Sequence, residues 1–303
     1  MVGSETVPSV TVVMPVGSVD PGLRRALACL VEQQTERTWD LVVSLNSPEK
    51  SARQALDDLL GRTSLDAEVI DSSAVRSASF ARNTGAKHAT GDILVFCDSD
   101  DEADPRWLDE ILAAMEHGVA VGGHLSEDRL MIEGQQHWRP PATPGKLPSF
   151  LGAPYLVSAN MAVWADDFAA VEGFEESLLR GEDIDFSWKL LERGIELRYA
   201  EKAIVEYRHR VGLRSLLEQH YLYGRGMAQV LARRNPPGSS GSSMLKANGQ
   251  PVENQSAVHV LRRGAIAAGR LRGLADARGI SPAPAVPTLG NDGRTTDEPS
   301  RAA

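Results

Sequence analysis

The sequence predicts an α/β protein: a mixed, mostly parallel sheet with helices on both faces and a C-terminal helical extension. Three observations predict it. Apolar, β-branched runs of strand length alternate with helix-length segments through the first 125 residues. The runs are continuously apolar rather than alternating, as strands covered on both faces are. Turn and cap residues fall between them.

In order, SVTVVMPV (9–16) is the first strand. Asp20 caps the following helix, with Pro21 at its first position, where a missing N–H costs nothing. LVVSL (41–45) is the second strand, followed by a helix over about 50–61. AEVID (67–71) is the third, and its helix, about 77–90, is closed by Gly91. DILVFC (92–97) is the fourth; Asp104-Pro105 then opens a helix to about 117, and VAVGGHL (119–125) is the fifth strand. Residues 126–154 include HWRPPATPGKLP, too irregular for a core, and read equally as a substrate-facing loop or a plain insertion. PYLVSANMAVW (154–164), a helix in DIDFSWKLLERG (183–194), short strands near IELRYA and AIVEYRH, and a helix over 213–234 complete the main unit. A linker over 235–257 contains PPGSSGSS, and a basic helix over 258–279 follows it. Residues 1–8 and 280–303 are expected to be disordered.

Composition excludes several classes. Net charge is −9, from 32 basic and 41 acidic residues, which argues against a general nucleic-acid binder. Two cysteines, Cys29 and Cys97, sit in apolar contexts and give no disulfide framework. MVGSETVPS lacks the basic-then-apolar order of a secretion signal. No window approaches the roughly 18–20 apolar residues that span a bilayer. A cytoplasmic location is the expectation.

The stretch FCDSDDEADP (96–105) crowds five carboxylates behind a buried strand. Such a cluster is costly unless each acid is paired or bound to a cation. In open α/β sheets ligands bind beyond the carboxyl ends of strands, and Asp98 stands at that end. No G-x-G-x-x-G or G-x-x-x-x-G-K-[ST] occurs, so dinucleotide and P-loop readings have no support. An EF-hand loop fits Asp98, Asp100 and Glu102, but Ala103 replaces the required glycine and Asp109 the bidentate glutamate. A haloacid-dehalogenase-type phosphatase also places D-x-D after an apolar strand. Its motif normally opens the chain and continues with threonine, where this chain has Glu102.

The order of motifs discriminates better. VTVVMPV, SFARNTGAKHATGDILVFCDSDD, EGFEESLLRGEDIDFSWKLLERG and AIVEYRHR together resemble the inverting glycosyltransferases of family 2, over about residues 9–234. The resemblance implies a GT-A (nucleotide-diphospho-sugar transferase) fold, a nucleotide-sugar donor, a divalent cation and an acceptor hydroxyl. It divides the unit into a donor-binding half, 9–125, and an acceptor and catalytic half, 126–234. The cation would be Mn2+ or Mg2+, held by Asp98 and Asp100, with His209 of YRHR as a further ligand or with the flanking arginines binding phosphate instead. Donor contacts are implied for Pro15, Val16, Ser44, Asn46, Arg82, Asn83 and Ser99 beside those two aspartates. Acceptor contacts are implied for Asp101, Glu182 and Trp188, the acceptor being a sugar, a lipid-linked or a small molecule.

Within RGEDIDFSWKLLERG, Ile184, Trp188, Leu191 and Ile195 form the buried stripe. Asp185 stands four residues before Lys189, the geometry of a surface ion pair. Asp183 matches the second acid of the family's E-D pair and is the expected general base. The chain also departs from the pattern. VVSLNSPEK has Ser44, Leu45 and Asn46 where a base-binding acid is usual, leaving the nucleotide open and giving weight to a non-catalytic nucleotide-sugar- or glycan-binding relative.

The last helix carries Arg262, Arg263, Arg270, Arg272 and Arg278 against one acid, Asp276. Its weak apolar stripe is Val258, Leu261, Ala265, Ala268 and Leu271. Two readings stand: peripheral contact with an anionic membrane, or docking onto the main unit.

Overall fold

The structure is a computed structural model that describes residues 7–127, 129–130, 138, 145–209, 211–234 and 257–277. The expected disorder of residues 1–6 and 280–303, most of the HWRPPATPGKLP stretch, the linker 235–256 and Arg278 lie outside them.

Its main sheet has eight strands. In chain order the elements are β1 (Val10–Val16), α1 (Pro21–Val31), β2 (Trp39–Leu45), α2 (Lys50–Leu60), β3 (Ala67–Asp71), α3 (Ala78–His88), β4 (Ile93–Cys97) and β5 (Glu102–Ala103). Next come α4 (Trp107–Ala113), β6 (Val119–Ser126), the hairpin β7 (Ser149–Phe150) and β8 (Ala153–Pro154), β9 (Asn160–Trp164) and α5 (Ala165–Ala170). The remainder is α6 (Glu182–Glu192), β10 (Glu196–Glu206), α7 (Leu213–Arg234) and α8 (Ala257–Asp276).

The strand order is β3-β2-β1-β4-β9-β6-β10-β5. β1, β2, β3 and β4 are parallel, as are β6 and β10, while β9 runs antiparallel between β4 and β6. That reversal decides where the site lies. It brings the amino end of β9 to the edge where the carboxyl ends of β1, β2 and β4 already lie.

The central strands β1, β4 and β9 are buried on both faces, as their unbroken apolar runs require. Val12, Val43, Val95 and Val121 pack one side with Leu23, Leu27 and Trp107. Val13, Leu94, Phe96 and Met161 pack the other with Phe168, Phe174 and Phe186. Asp20 caps α1 as expected, its Oδ1 accepting the N–H groups of Gly22 (2.7 Å) and Leu23 (3.2 Å).

Several boundaries differ from the sequence reading. α3 ends at His88 with Ala89 as its cap, before Gly91. Gly91 is instead pressed against β1, where an added Cβ would lie 2.5 Å from the Thr11 nitrogen. α4 begins at Trp107, because Glu102–Ala103 first pairs with β10 and Asp104 spends its Oδ1 on the Arg106 N–H (3.0 Å). The two short late strands are one strand, β10, whose register breaks between Ala200 and Ile204. Buried Asn160 caps that break, donating to the carbonyls of Ala203 (2.9 Å) and His124 (3.0 Å) and accepting from Trp107 Nε1 (2.8 Å).

α8 docks on α7. A Cβ on Gly269 would collide with the Tyr221 carbonyl, and one on Gly273 with that of Arg225, so backbone meets backbone. Arg225 pairs with Asp276 at 2.7 Å. Docking is the reading the packing supports, but through an unexpected face. Gly269, Arg270 and Gly273 are buried, whereas Leu261, Ala268 and Leu271 of the expected stripe point outward.

Candidate active site

A cavity of about 830 Å3 opens at the strand edge just described. One wall comes from the ends of β1, β2 and β4; the opposite wall comes from the start of α6 and from α7. Of the residues singled out from sequence, Pro15, Val16, Asn46, Arg82, Asp98, Ser99, Asp100, Glu182, Asp183 and His209 line the cavity.

Asp98, Asp100 and Asp101 each present an oxygen within 4.8 Å of the others. The turn after β4 forces them together, and hard carboxylate oxygens at this density suit a divalent cation such as Mg2+ or Mn2+. They are not equivalent. Asp98 accepts from Arg82 at 2.5 Å. Asp101 is buried and takes the Arg208 backbone N–H at 2.8 Å, and its Oδ2 has no hydrogen-bond partner among the described residues. Burial, then the charge of Asp98, push the Asp101 carboxyl up to about 8 despite that bond. Asp101, for which an acceptor contact was implied, is not among the residues that line the cavity.

Arg82 is buried and holds the two walls together. Besides Asp98 it lies 3.7 Å from Glu182, and its guanidinium sits 5.8 Å from the centre of the Phe174 ring. Burial alone would ease its proton off; the charges of Asp98, Asp183 and Glu182 outweigh that and hold it fully cationic. Its neighbour Asn83, for which a donor contact was implied, does not line the cavity. Asn83 accepts from the Phe174 N–H (2.9 Å) and donates to the Phe174 carbonyl (2.8 Å) and Glu176 (2.9 Å). This clasp explains why the ARN and G-F-x-E motifs occur together. Gly173 has φ +61°, and a Cβ there would lie 2.6 Å from Asn83 Oδ1.

Two other assignments are corrected by placement. Ser44 is fully buried and bonds Ser72 Oγ at 2.9 Å, bracing the β2 and β3 ends instead of meeting a ligand. Trp188 is fully buried, stacked on Phe150 with ring centres 5.9 Å apart, and does not line this cavity. Asn46 does reach the wall, where it donates to the carbonyls of Ser72 and Val75.

The acids of α6 part company within one turn. Asp183 faces the cavity, and its Oδ1 has no hydrogen-bond partner among the described residues. Burial raises its pKa; the charge of Arg82 and hydrogen bonds from Ser158 oppose that rise. Burial and the Asp183 charge likewise push Glu182 up to about 7. Asp185 is not the surface residue its spacing suggested. It is 1% exposed and bound by Arg234, whose Nε lies 3.2 Å from Oδ1, with Lys189 at 3.8 Å. Arg234 also pairs with Glu192.

His209 is buried on the cavity wall, 3.0 Å from Glu127, and stands outside the three-aspartate cluster. Sequence reasoning offered Arg208 only as a phosphate contact and missed its partners: it lies 2.7 Å from buried Glu102, and its backbone N–H bonds Asp101. It also missed Arg234 and Ser158. These pairs are 106, 49 and 25 residues apart (208−102, 234−185, 183−158), so no local spacing announces them.

The edge-opening mixed sheet with an aspartate cluster after β4 defines the GT-A fold. Residues 11–165 match the profile of glycosyl transferase family 2, and the chain belongs to that family. It is 33% identical over 242 residues to the pre-mycofactocin glycosyltransferase of Mycobacterium tuberculosis, covering 75% of this chain. The chain spans about half the length of the curated relatives it matches, 48% of each. Among solved structures, it is similar to the mannosyltransferase PcManGT of Pyrobaculum calidifontis in complex with GDP-Man and Mn2+. There the TM-score is 0.61 at 17% identity, covering 89% of this chain and 76% of that one. It is also similar to GalNAc-T7 with UDP, GalNAc and Mn2+ (TM-score 0.59, 13% identity, 86% and 55% covered). For TarS 1–349 of S. aureus in complex with UDP-GlcNAc the TM-score is 0.55 at 16% identity, with 78% and 69% covered. Family membership removes the phosphatase alternative. No helix among the described residues is long and apolar enough to cross a membrane.

Proposed function

We propose that the protein transfers a sugar from a nucleotide-diphosphate sugar to an acceptor hydroxyl with inversion, assisted by Mn2+ or Mg2+. The observation that carries this is a cavity with two kinds of acid on facing walls. One is an aspartate cluster suited to a cation; the other is Asp183, whose Oδ1 has no hydrogen-bond partner among the described residues.

Asp98 and Asp100 would hold the cation, which supplies neutralisation of the departing diphosphate. Arg82 keeps Asp98 oriented, and Asn46 borders the place for the nucleotide. Asp183 takes the acceptor's hydroxyl proton as that oxygen bonds to the anomeric carbon, whose bond to the diphosphate breaks on the far side. A raised pKa suits a base that must take a proton as it works and release it afterwards. One displacement with one base inverts the configuration.

Similarity supports the reading: solved neighbours are complexes with GDP-Man, UDP-GlcNAc, or UDP with Mn2+. The acceptor class, sugar, lipid-linked or small molecule, is set by the same cavity. Asp183→Asn should keep nucleotide-sugar binding, read as a rise in melting temperature. It should lower transfer by about 10²–10⁴-fold. Full transfer by this variant would remove Asp183 from the role. Donor binding by wild-type protein with no turnover on any acceptor would favour the non-catalytic alternative.

A further inference from the structure

The strands meet the cavity in the order in which a nucleotide-sugar is built. Along the sheet the order is β2, β1, β4, β9 and β6. Asn46 follows β2, Val16 ends β1, Asp98 and Asp100 follow β4, and His124 lies near the carboxyl end of β6; all five line the cavity. The start of β9 sits between the last two strands, with Asn160 opposite Cys97 and Met161 opposite Gly122. Neighbouring strands lie about 4.8 Å apart, so β6 stands about 10 Å beyond β4. A linear donor with its nucleotide at β2 and β1 and its diphosphate at the aspartates brings its sugar over β9, toward β6.

His124 is fixed there through both backbone and ring. Buried Asn160 holds the backbone, donating to the carbonyls of His124 (3.0 Å) and Ala203 (2.9 Å) while accepting from Trp107 Nε1 (2.8 Å). Gly123 leaves room for this, since a Cβ on it would collide with the Asn160 amide. Tyr199 of β10, paired with Gly122, holds the ring: its hydroxyl lies 2.8 Å from His124 Nδ1. The two rings meet edge to face with centres 6.4 Å apart.

The partners of Tyr199 assign the imidazole proton. Its phenol oxygen accepts the Gly145 backbone N–H. Its own O–H then donates to His124 Nδ1, since the reverse would leave the Tyr199 proton without an acceptor among the described residues. Nδ1 is thus the acceptor, and Nε2 carries the proton. Among the described residues that N–H has no acceptor, and the ring lines the cavity. We propose that His124 is a specificity-determining residue whose Nε2–H donates to a hydroxyl oxygen of the donor's sugar, with Tyr199 as its positioning residue. A donor group fixed in this way favours sugars that place a hydroxyl there and penalises those that do not. The assignment rests on the transferase reading of the cavity.

Full-length wild-type protein, His124→Phe, His124→Gln and Tyr199→Phe are titrated calorimetrically in Mn2+. The probes are UDP, UDP-glucose, UDP-galactose, UDP-N-acetylglucosamine, GDP and GDP-mannose. The quantity read is the affinity that each sugar adds to its own nucleoside diphosphate. The wild type should rank the sugars, and His124→Phe should weaken the best of them about three- to tenfold while leaving UDP and GDP unchanged. Glutamine, whose amide N–H stands near the place of Nε2–H, should restore part of that loss. Nitrogen-15 NMR of histidine-labelled protein should show His124 protonated on Nε2, and Tyr199→Phe should mix the two tautomers. Protonation on Nδ1 in the wild type overturns the inference. So does a wild type that binds UDP or GDP but gains nothing from any sugar. So does His124→Phe if it loses nothing, or loses diphosphate and nucleotide-sugar alike. A wild type that binds neither UDP nor GDP with Mn2+ overturns it together with the transferase reading.

Discussion

Two acidic regions of this molecule invite the same reading and behave differently. In the turn after β4, Asp98, Asp100 and Asp101 are pushed together, and their mutual repulsion is met only in part by Arg82 and the Arg208 N–H. In α6, Glu182, Asp183 and Asp185 are equally close in sequence but are separated by the helical rotation. Asp185 turns inward to Arg234, and Asp183 turns to the cavity. A turn concentrates charge for a ligand; a helix distributes it between support and chemistry.

The sharpest break of this comparison is in the turn. Asp98→Asn or Asp100→Asn should abolish Mn2+- or Mg2+-dependent donor binding; Asp100→Asn should leave the apo protein as stable as before, because repulsion is relieved, whereas Asp98→Asn should also lower stability, because it removes the charge that faces buried Arg82. Full donor affinity in excess EDTA would end the metal role. The helix should answer in the opposite way. Asp185→Ala leaves Arg234 buried without its main partner and should cost about 3–5 kcal/mol in chemical denaturation. Its kcat per folded molecule should stay near wild type. A dead but fully stable Asp185→Ala would exchange the roles of Asp183 and Asp185.

A smaller effect concerns pH. Burial raises both Glu182 and Asp183, so the pair holds a proton above the ordinary carboxylate range. The base works only when deprotonated, so kcat/KM should rise with pH through this region and fall away on the acid side. Glu182→Gln removes a neighbouring negative charge and should move the acid limb to lower pH. An unmoved limb would detach it from this pair.

The smallest effect is expected at α8. Its outward Val260, Leu261 and Leu271, with Arg263 and Arg272 alongside, form the surface a membrane contact would use. Docking already accounts for the helix, so full-length protein and Leu261→Asp/Leu271→Asp should co-sediment equally with anionic vesicles. Reduced sedimentation of the variant would restore the peripheral membrane reading.

Much of this architecture is written locally. The parallel strands follow from unbroken apolar runs, α1 from Asp20-Pro21, and the aspartate cluster from its place at a strand end. These features depend on neighbours a few residues away, which sequence displays directly. The i, i+4 spacing of Asp185 and Lys189 is also local, and it misled because it holds at any depth. Only Arg234, on another helix, decides that this acid is buried. The same limit hid the clasp of Asn83 on Phe174 and the glycine seams of α8, where small residues mark backbone contact instead of the apolar stripe. Sequence by itself determined the strand-and-helix alternation and the kinds of groups at the site, because propensity and patterning act within a few turns of chain. The tertiary structure alone decided which acids meet a cavity, which meet an arginine, and where the last helix docks. Those outcomes depend on burial and charge contributed by segments far away in the chain.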